Sequence, residues 1–429
     1  MLGHQHLIPH QREMLIRVAL VSFAAGLWFS VLYSFLIIFL VLAWLIDDRA
    51  ATFRQLIAEP LVQAIFALCA ILLLGLLWSE APLEGRHKWT KYFLLLIYVP
   101  FLALLNRQRL PWVIGAVFAG YCLVLFTGLY EWRVENRQGI PAFNMSYLTF
   151  SAMLGVGCVL ACCFACFCRN TIVRLCLAVC TLVLLYLQFH QSARGFLLAT
   201  LLTLMIVLTV HFRIALRMLA AAVVPILLVI LLFAYTSPVI QERLDQAEAD
   251  ITRMQQGYFN SSIGYRIALW DVGLYGIAQK PLLGQGTGMP EQFFDQTVVY
   301  YKQGLYRDLP AFQKTSHYHN DWIEIGMQLG VLGLGSFLFL LWAWFQTFKK
   351  NGLTLPGICV ISFIVLSGLT ETFLIFGRLP VLLLVLTAIA VCWRREALDN
   401  SGVTGAAGGW VKSKPDSGIE ETIKGGKNG

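Results

Sequence analysis

Apolar runs of membrane-crossing length recur along the chain from residue 15 to residue 393, and short segments between them carry most of the charge. A helix needs about 20 mostly apolar residues to cross roughly 30 Å of hydrocarbon. Runs near that length fall at 15–30, 32–46, 60–78, 89–105, 111–130, 147–167, 173–190, 194–212 and 214–235, and three more at 322–347, 355–374 and 379–393. Residues 15–46 read as two spans, because one helix of that length would reach about 48 Å, well beyond the hydrocarbon. A hairpin is therefore expected around Ser30–Ser34. Alternating ten-residue strands are absent, which argues against a barrel. The first apolar run lacks a small-residue cleavage site and leads into more membrane sequence, so no cleavable signal is expected. The pattern predicts an all-α polytopic membrane protein with about twelve transmembrane helices.

One long polar interruption, 236–318, divides the chain. The resulting organisation is an N-terminal segment 1–14, nine spans in 15–235, a large loop 236–318, three spans in 319–393 and a tail 394–429 rich in Gly, Ser and Lys. Within the loop, Pro238–Met254 reads as a charged amphipathic helix. Tyr265–Lys280 reads as a second, with Ile267, Trp270, Leu274 and Ile277 at helical spacing. The stretch KPLLGQGTG at 280–288 then breaks the pattern with Pro281 and three glycines, the chemistry of a tight turn. The tail has the composition of a disordered segment.

Composition agrees with the membrane reading. The chain is 58% hydrophobic and 13% charged, too little polar surface for a soluble domain of 429 residues. Its net charge of +8 is a topology signal and not a nucleic-acid footprint. With the N-terminus inside, the cytoplasmic segments hold 18 of the 32 Lys and Arg residues and the short outer segments hold seven. The 236–318 loop then faces outward, which in a bacterial inner membrane is the periplasm. All 11 cysteines lie in or beside apolar runs. The group Cys158, Cys162, Cys163, Cys166 and Cys168 has no His or carboxylate beside it and reads as helix packing, not as a metal site.

Ionisable groups at the membrane edge are costly and therefore mark candidate chemistry. Arg194 in QSARGFLLAT lies at the outer mouth between two spans, Arg266 lies on the second loop helix, and His317 and His319 stand just before the span at 322. All four fall on one side of the membrane. His317 and His319 are two apart, so on a helix they would point to different faces and not act as a pair. Snorkelling would explain Arg194 alone, and a surface pair with Asp271 or Glu291 would explain Arg266 alone.

The stretches SARG, then YRIALWDVGLYGIAQKPLLGQGTG, then HNDWIEIGMQLGVLGLG resemble the O-antigen ligase and polymerase superfamily. The layout, with a large loop between the ninth and tenth spans, looks like the ligase in particular. The resemblance implies a C-type glycosyltransferase architecture. It implies inverting, metal-independent transfer of undecaprenyl-diphosphate-linked O-antigen, the donor, to lipid A–core oligosaccharide, the acceptor, at the periplasmic face of the inner membrane. It implies catalytic roles for Arg194, Arg266 and His319, with His319 chosen over His317 as the base by the motif alone. Arg86, Lys88, Trp270 and His317 are the expected substrate contacts, with Arg86 and Lys88 suited to lipid or core phosphates. No cofactor, metal or nucleic-acid partner is expected; the remaining partners are membrane lipids.

Chemistry is consistent with that expectation. Cleaving a lipid diphosphate builds negative charge on phosphate oxygen, which guanidinium forks stabilise bidentately at any relevant pH. The attacking sugar hydroxyl must lose a proton, and His can accept one near neutrality. Outer loops lack the paired acids that metal-using relatives place there, and Glu80 and Glu84 are the nearest outward pair. An O-antigen polymerase, a protein O-oligosaccharyltransferase and a lipid-linked glycan transporter are the alternatives. A transporter would be expected to carry polar or broken helices at the bundle midplane.

Overall fold

A computed structural model describes residues 9–47, 56–213, 248–315 and 317–400. They form helices α1 (Pro9–Gly26), α2 (Ser30–Ile46), α3 (Pro60–Gly75), α4 (Leu110–Arg133), α5 (Tyr147–Phe167), α6 (Thr171–Phe189), α7 (Arg194–Phe212), α8 (Ser262–Gln279), α9 (Pro290–Thr297), α10 (Asp321–Lys350), α11 (Thr354–Gly368) and α12 (Arg378–Asn400), with shorter turns between them. No strand occurs among the described residues beyond one isolated bridge, Ile140 to Met145.

Among the described residues, six helical segments are long and apolar enough to cross a membrane: Pro60–Trp78, Leu110–Arg133, Tyr147–Phe167, Thr171–Phe189, Arg194–Phe212 and Asp321–Lys350. Leu32–Ile46 and Thr354–Gly368 are apolar but shorter. The expected spans at 60–78, 147–167 and 194–212 therefore have the bounds read from the pattern, and the others move for identifiable reasons. The hairpin between the first two helices turns at 27–29, three residues ahead of its expected place. The expected span 89–105 is not one helix. It runs Arg86–Trp89, then a 3-10 stretch Thr90–Ile97, then Tyr98–Leu104. Pro100 accounts for the change, since a proline ring in an α-helix collides with the carbonyl four residues earlier. The span expected at 355–374 ends at Gly368, and α12 continues past residue 393 to Asn400. The span 214–235 and most of the helix at Pro238–Met254 lie outside the described residues; positions 248–254 are helical.

The helix expected at Tyr265–Lys280 is α8, Ser262–Gln279, starting earlier because the Ser261 hydroxyl accepts from Gly264 N at 3.1 Å as an N-cap. α8 carries a second, smaller core: Tyr265, Ala268, Leu269 and Val272 pack with Phe293 and Phe294 of α9 and with Tyr318, Ile323 and Met327. The polar loop is thus seated on the first turns of α10.

KPLLGQGTG does more than turn. Gly284, Gly286 and Gly288 all have positive φ, at 68°, 112° and 90°, a region that costs any residue with a Cβ. Helix α10 is broken at Gly330 (φ 60°, ψ −148°), and the loop stitches itself to that break. Gln285 N donates to Met327 O at 2.7 Å, Gly286 N to Gln328 O at 2.9 Å, and Val331 N to Pro281 O at 2.8 Å. Thr287 N reaches Gly75 O of α3 at 3.1 Å. The break frees backbone groups, and the loop supplies their partners.

Between Asp321 and the break, three buried polar side chains each hold one loop. Asp321 accepts from Phe373 N at 3.1 Å and Leu374 N at 3.3 Å. Glu324 accepts from Tyr318 N at 2.8 Å. Gln328 accepts from Gly288 N at 3.0 Å. Positions 321, 324 and 328 share a helix face, so one face of α10 assembles three segments at one end of the bundle.

Candidate functional site

The segment 317–320 is not helical, and that alters the geometry expected for its histidines. Asn320 caps α10, accepting from Trp322 N at 2.9 Å and Ile323 N at 3.2 Å, while its amide donates to Leu369 O at 3.0 Å. His319 takes a left-handed backbone, φ 51°, uncommon for a residue with a side chain and a feature of functional sites. Trp270 Nε1 of α8 donates to Tyr318 O at 2.9 Å, and Tyr265 hydroxyl to Gln313 O at 3.1 Å. With the backbone so turned, the His317 and His319 rings come to 4.1 Å between centroids. The expectation that two-residue spacing keeps them apart is corrected: it assumed a helix, and the left-handed residue replaces one.

Glu371 is the residue at the centre. It is 2% exposed and lies in the 369–377 segment that Asp321 holds from below. One of its oxygens accepts from Arg266 Nη2; the other is 2.7 Å from His319 Nδ1. Arg266 Nη1 also donates to Thr370 O at 2.8 Å. A His319 that donates Nδ1–H to Glu371 turns Nε2 away from the carboxylate, which is the arrangement a general base needs. Sequence reading missed Glu371, although its signal was present: a carboxylate inside an expected span is a functional candidate by default. The same holds for Glu324.

The other expected residues are placed as follows. Arg194 is exposed at the first position of α7. Its neighbour Gly195 lies so close to Thr370 that a Cβ there would meet Thr370 Oγ1 at 2.5 Å. Arg194 is therefore one residue from the segment that carries Glu371. Lys88 and His317 line a cavity of about 380 Å³, together with Lys91, Arg378 and Tyr33. Arg86 is exposed and outside that lining. Trp270 acts on the site through the Tyr318 carbonyl.

His317 keeps some surface toward the cavity, yet protein surrounds most of its ring. Burial, then His319, Lys88, Lys91 and Arg266, hold its imidazole well below the ordinary value of 6.5 and therefore neutral. Burial likewise pushes the Lys88 ammonium down. His317, His319 and Glu371 offer one ligand atom each within 4.8 Å of one another, a two-histidine, one-carboxylate set of the kind that can hold a transition metal. Both Glu371 oxygens already have donors, and the burial that chiefly keeps a proton off His317, with the nearby cations Lys88, Lys91 and Arg266, also opposes a divalent cation there.

Among known proteins, residues 176–338 match a family model described as O-antigen ligase. No curated protein matches the chain. The matched stretch contains Arg194, Arg266, Trp270, His317 and His319 and runs through the glycine break at 330. Over that stretch, less than half of the chain, the match supports the resemblance to the O-antigen ligase and polymerase superfamily.

Proposed function

We propose that this protein is an O-antigen ligase. In this reading it transfers O-antigen from an undecaprenyl-diphosphate carrier to lipid A–core oligosaccharide, at the periplasmic face of a bacterial inner membrane. The twelve-span layout and the outward-facing 236–318 loop belong to the same proposal; the asymmetry of Lys and Arg supports them. The observation that carries the reaction is the contact of Arg266 and His319 with one buried carboxylate, Glu371, inside a family whose members join lipid-linked glycans.

His319 Nε2 takes the proton from the acceptor hydroxyl as that oxygen attacks the anomeric carbon of the donor. The bond from that carbon to the diphosphate breaks, with inversion, and the diphosphate leaves with the electron pair. Arg194 and Arg266 stabilise the developing charge. Glu371 orients both His319 and Arg266 and favours the imidazolium that forms, as a carboxylate does behind a general-base histidine.

The test is complementation of a ligase-null strain with Arg266→Ala and His319→Ala, read by lipopolysaccharide electrophoresis with membrane insertion checked. Loss of the O-antigen ladder is expected for both. A normal ladder with either variant removes that residue from the mechanism. Core bearing a single repeat unit would identify a polymerase instead.

A further inference from the structure

Glu324, in the first turn of α10, is 1% exposed, and an ionisable side chain so enclosed is costly enough to call for a role. Both of its oxygens are engaged. Oε2 accepts from Tyr318 N at 2.8 Å and Oε1 from Gln328 Nε2 at 3.1 Å. Gln328 cannot turn its amide over without a loss, because its own oxygen accepts from Gly288 N at 3.0 Å. Position 324 must therefore accept on two sides and donate on neither, which an ionised carboxylate does and a carboxamide does not.

The relay has two ends. At one, Gly288 lies against the segment after α3: a Cβ on Gly85 would meet Gly288 O at 2.4 Å, and the Ser79 hydroxyl donates to Thr287 O at 2.8 Å. At the other end is Tyr318, whose ring is fully buried. Glu324 holds its N–H, and its carbonyl accepts from Trp270 Nε1 at 2.9 Å. Pinned at both backbone atoms, Tyr318 hands the chain to His319 at φ 51°. A residue with a side chain keeps that conformation only where its surroundings over-determine it. The same turn brings His319 Nδ1 to 2.7 Å from Glu371.

We infer that Glu324 is a positioning residue for the transfer reaction. Through the Tyr318 amide it holds the turn that aims the His319 ring, and through Gln328 it ties that turn to the glycine loop. Neither of its hydrogen bonds goes to His319 or Glu371, so it acts by geometry. The inference rests on the proposed role of His319 as the base.

The test uses the purified full-length protein in nanodiscs, with lipid-linked O-antigen and core glycolipid as substrates. Glu324→Gln should lower kcat roughly tenfold to hundredfold, the cost of misplacing a reacting group by up to about 1 Å. KM for both substrates should stay within about twofold, because the ground-state contacts are untouched. The swapped variant Glu324→Gln/Gln328→Glu rebuilds every bond with the middle one reversed. Its new carboxylate at 328 accepts from Gly288 N, and its new amide at 324 donates to that carboxylate and accepts from Tyr318 N. It should recover kcat to within about threefold of wild type, a coupling that single losses would not show. Hydrogen exchange at the Tyr318 amide, which does not depend on transfer, should quicken about tenfold or more in Glu324→Gln and slow again in the swapped variant.

Wild-type kcat in Glu324→Gln, unchanged exchange at Tyr318, or a swapped variant as slow as the single one overturns the inference. Glu324→Asp carries the same decision if the glutamine variant fails to insert. It keeps the charge, withdraws the oxygens by one methylene and should lose kcat as well; wild-type kcat there overturns the inference. His319→Ala, measured alongside, separates the two readings. If it transfers at the wild-type rate, the base assignment falls. If it is inactive while Glu324→Gln transfers normally, only the positioning role falls.

Discussion

Two arginines paired with carboxylates, one buried and one half-buried, lie at opposite ends of the helices, and only one of them serves the proposed site. At the end where α1 begins and α2 finishes, Arg109 is 3% exposed. Its Nε donates to both Glu13 oxygens at 3.0 and 3.2 Å, its Nη2 also pairs with Glu13, and its Nη1 donates to Leu104 O at 2.6 Å. Arg12 and Asp47 complete that cluster at 3.2 Å. It joins helices. At the other end, Arg266 and His319 share Glu371, the backbone of His319 is left-handed, and a cationic cavity opens beside His317. Pairing alone is therefore not a functional signal. What separates the two ends is incomplete compensation: charges answered on every side hold a fold together, and charges left facing a cavity can hold a ligand.

The contrast is broken most directly by exchanging the loss. His319→Ala should lower the transfer rate by roughly 10²–10⁴-fold, the usual worth of a general base, with the thermal midpoint in detergent little changed. Glu371→Gln should lower kcat by about 10²-fold or more, since it releases the His319 tautomer and leaves Arg266 half-answered. Glu13→Gln, the same change at the far end, should instead cost about 2 kcal/mol of stability and leave the rate per folded molecule unchanged. If Glu371→Gln behaved like Glu13→Gln, the proposed site would be another structural cluster.

Gly284→Ala probes what carries the site. It forces a Cβ into left-handed backbone against the Gln328 main chain and should cost at least about 1–2 kcal/mol, with lower yield of folded protein. Full stability would mean that the stitch to the α10 break is dispensable.

The two ends should also respond to acid in different windows. His317 is held below its ordinary value of 6.5 in the folded protein. Above that value it is neutral folded or unfolded and contributes no pH dependence. Below it the unfolded chain binds the extra proton, so stability should fall as pH drops. The hydrogen bond from Arg109 holds Glu13 below its ordinary 4.5, so its contribution is complete above 4.5 and is lost only as pH falls through the lowered value. Thermal midpoints of His317→Gln and Glu13→Gln across pH 4–7 separate the windows: the first variant should flatten the curve just below 6.5. The smallest effect concerns metal. Dialysis against chelator should change the rate less than about twofold, and a larger loss restored by a divalent cation would assign His317, His319 and Glu371 as ligands.

How far the sequence could be read follows from the range of each interaction. Spans such as Tyr147–Phe167 and Arg194–Phe212 were legible because a hydrophobic run and its cap are local. The start of α10 was placed within a residue by hydropathy alone, at 322 against Asp321. Arg266 and His319 were found through motif resemblance, and Glu371 was passed over because the run around it is apolar. The 3-10 course of Thr90–Ile97 was hidden by a composition that suits an ordinary span, with Pro100 the one sign against it.

By itself the sequence determined that this chain is helical, crosses a membrane repeatedly and gathers its unusual polar residues around one loop. Hydropathy and capping act over a few residues, so they are written in order along the chain. Only the tertiary structure decided that Glu371 meets Arg266 across 105 positions and His319 across 52. It also decided that Lys88, Lys91 and Arg378 share a cavity, and that the PLLGQGTG turn fills a broken helix. Those contacts depend on how separate helix ends converge and on one left-handed residue at His319. Neither leaves a local pattern to read.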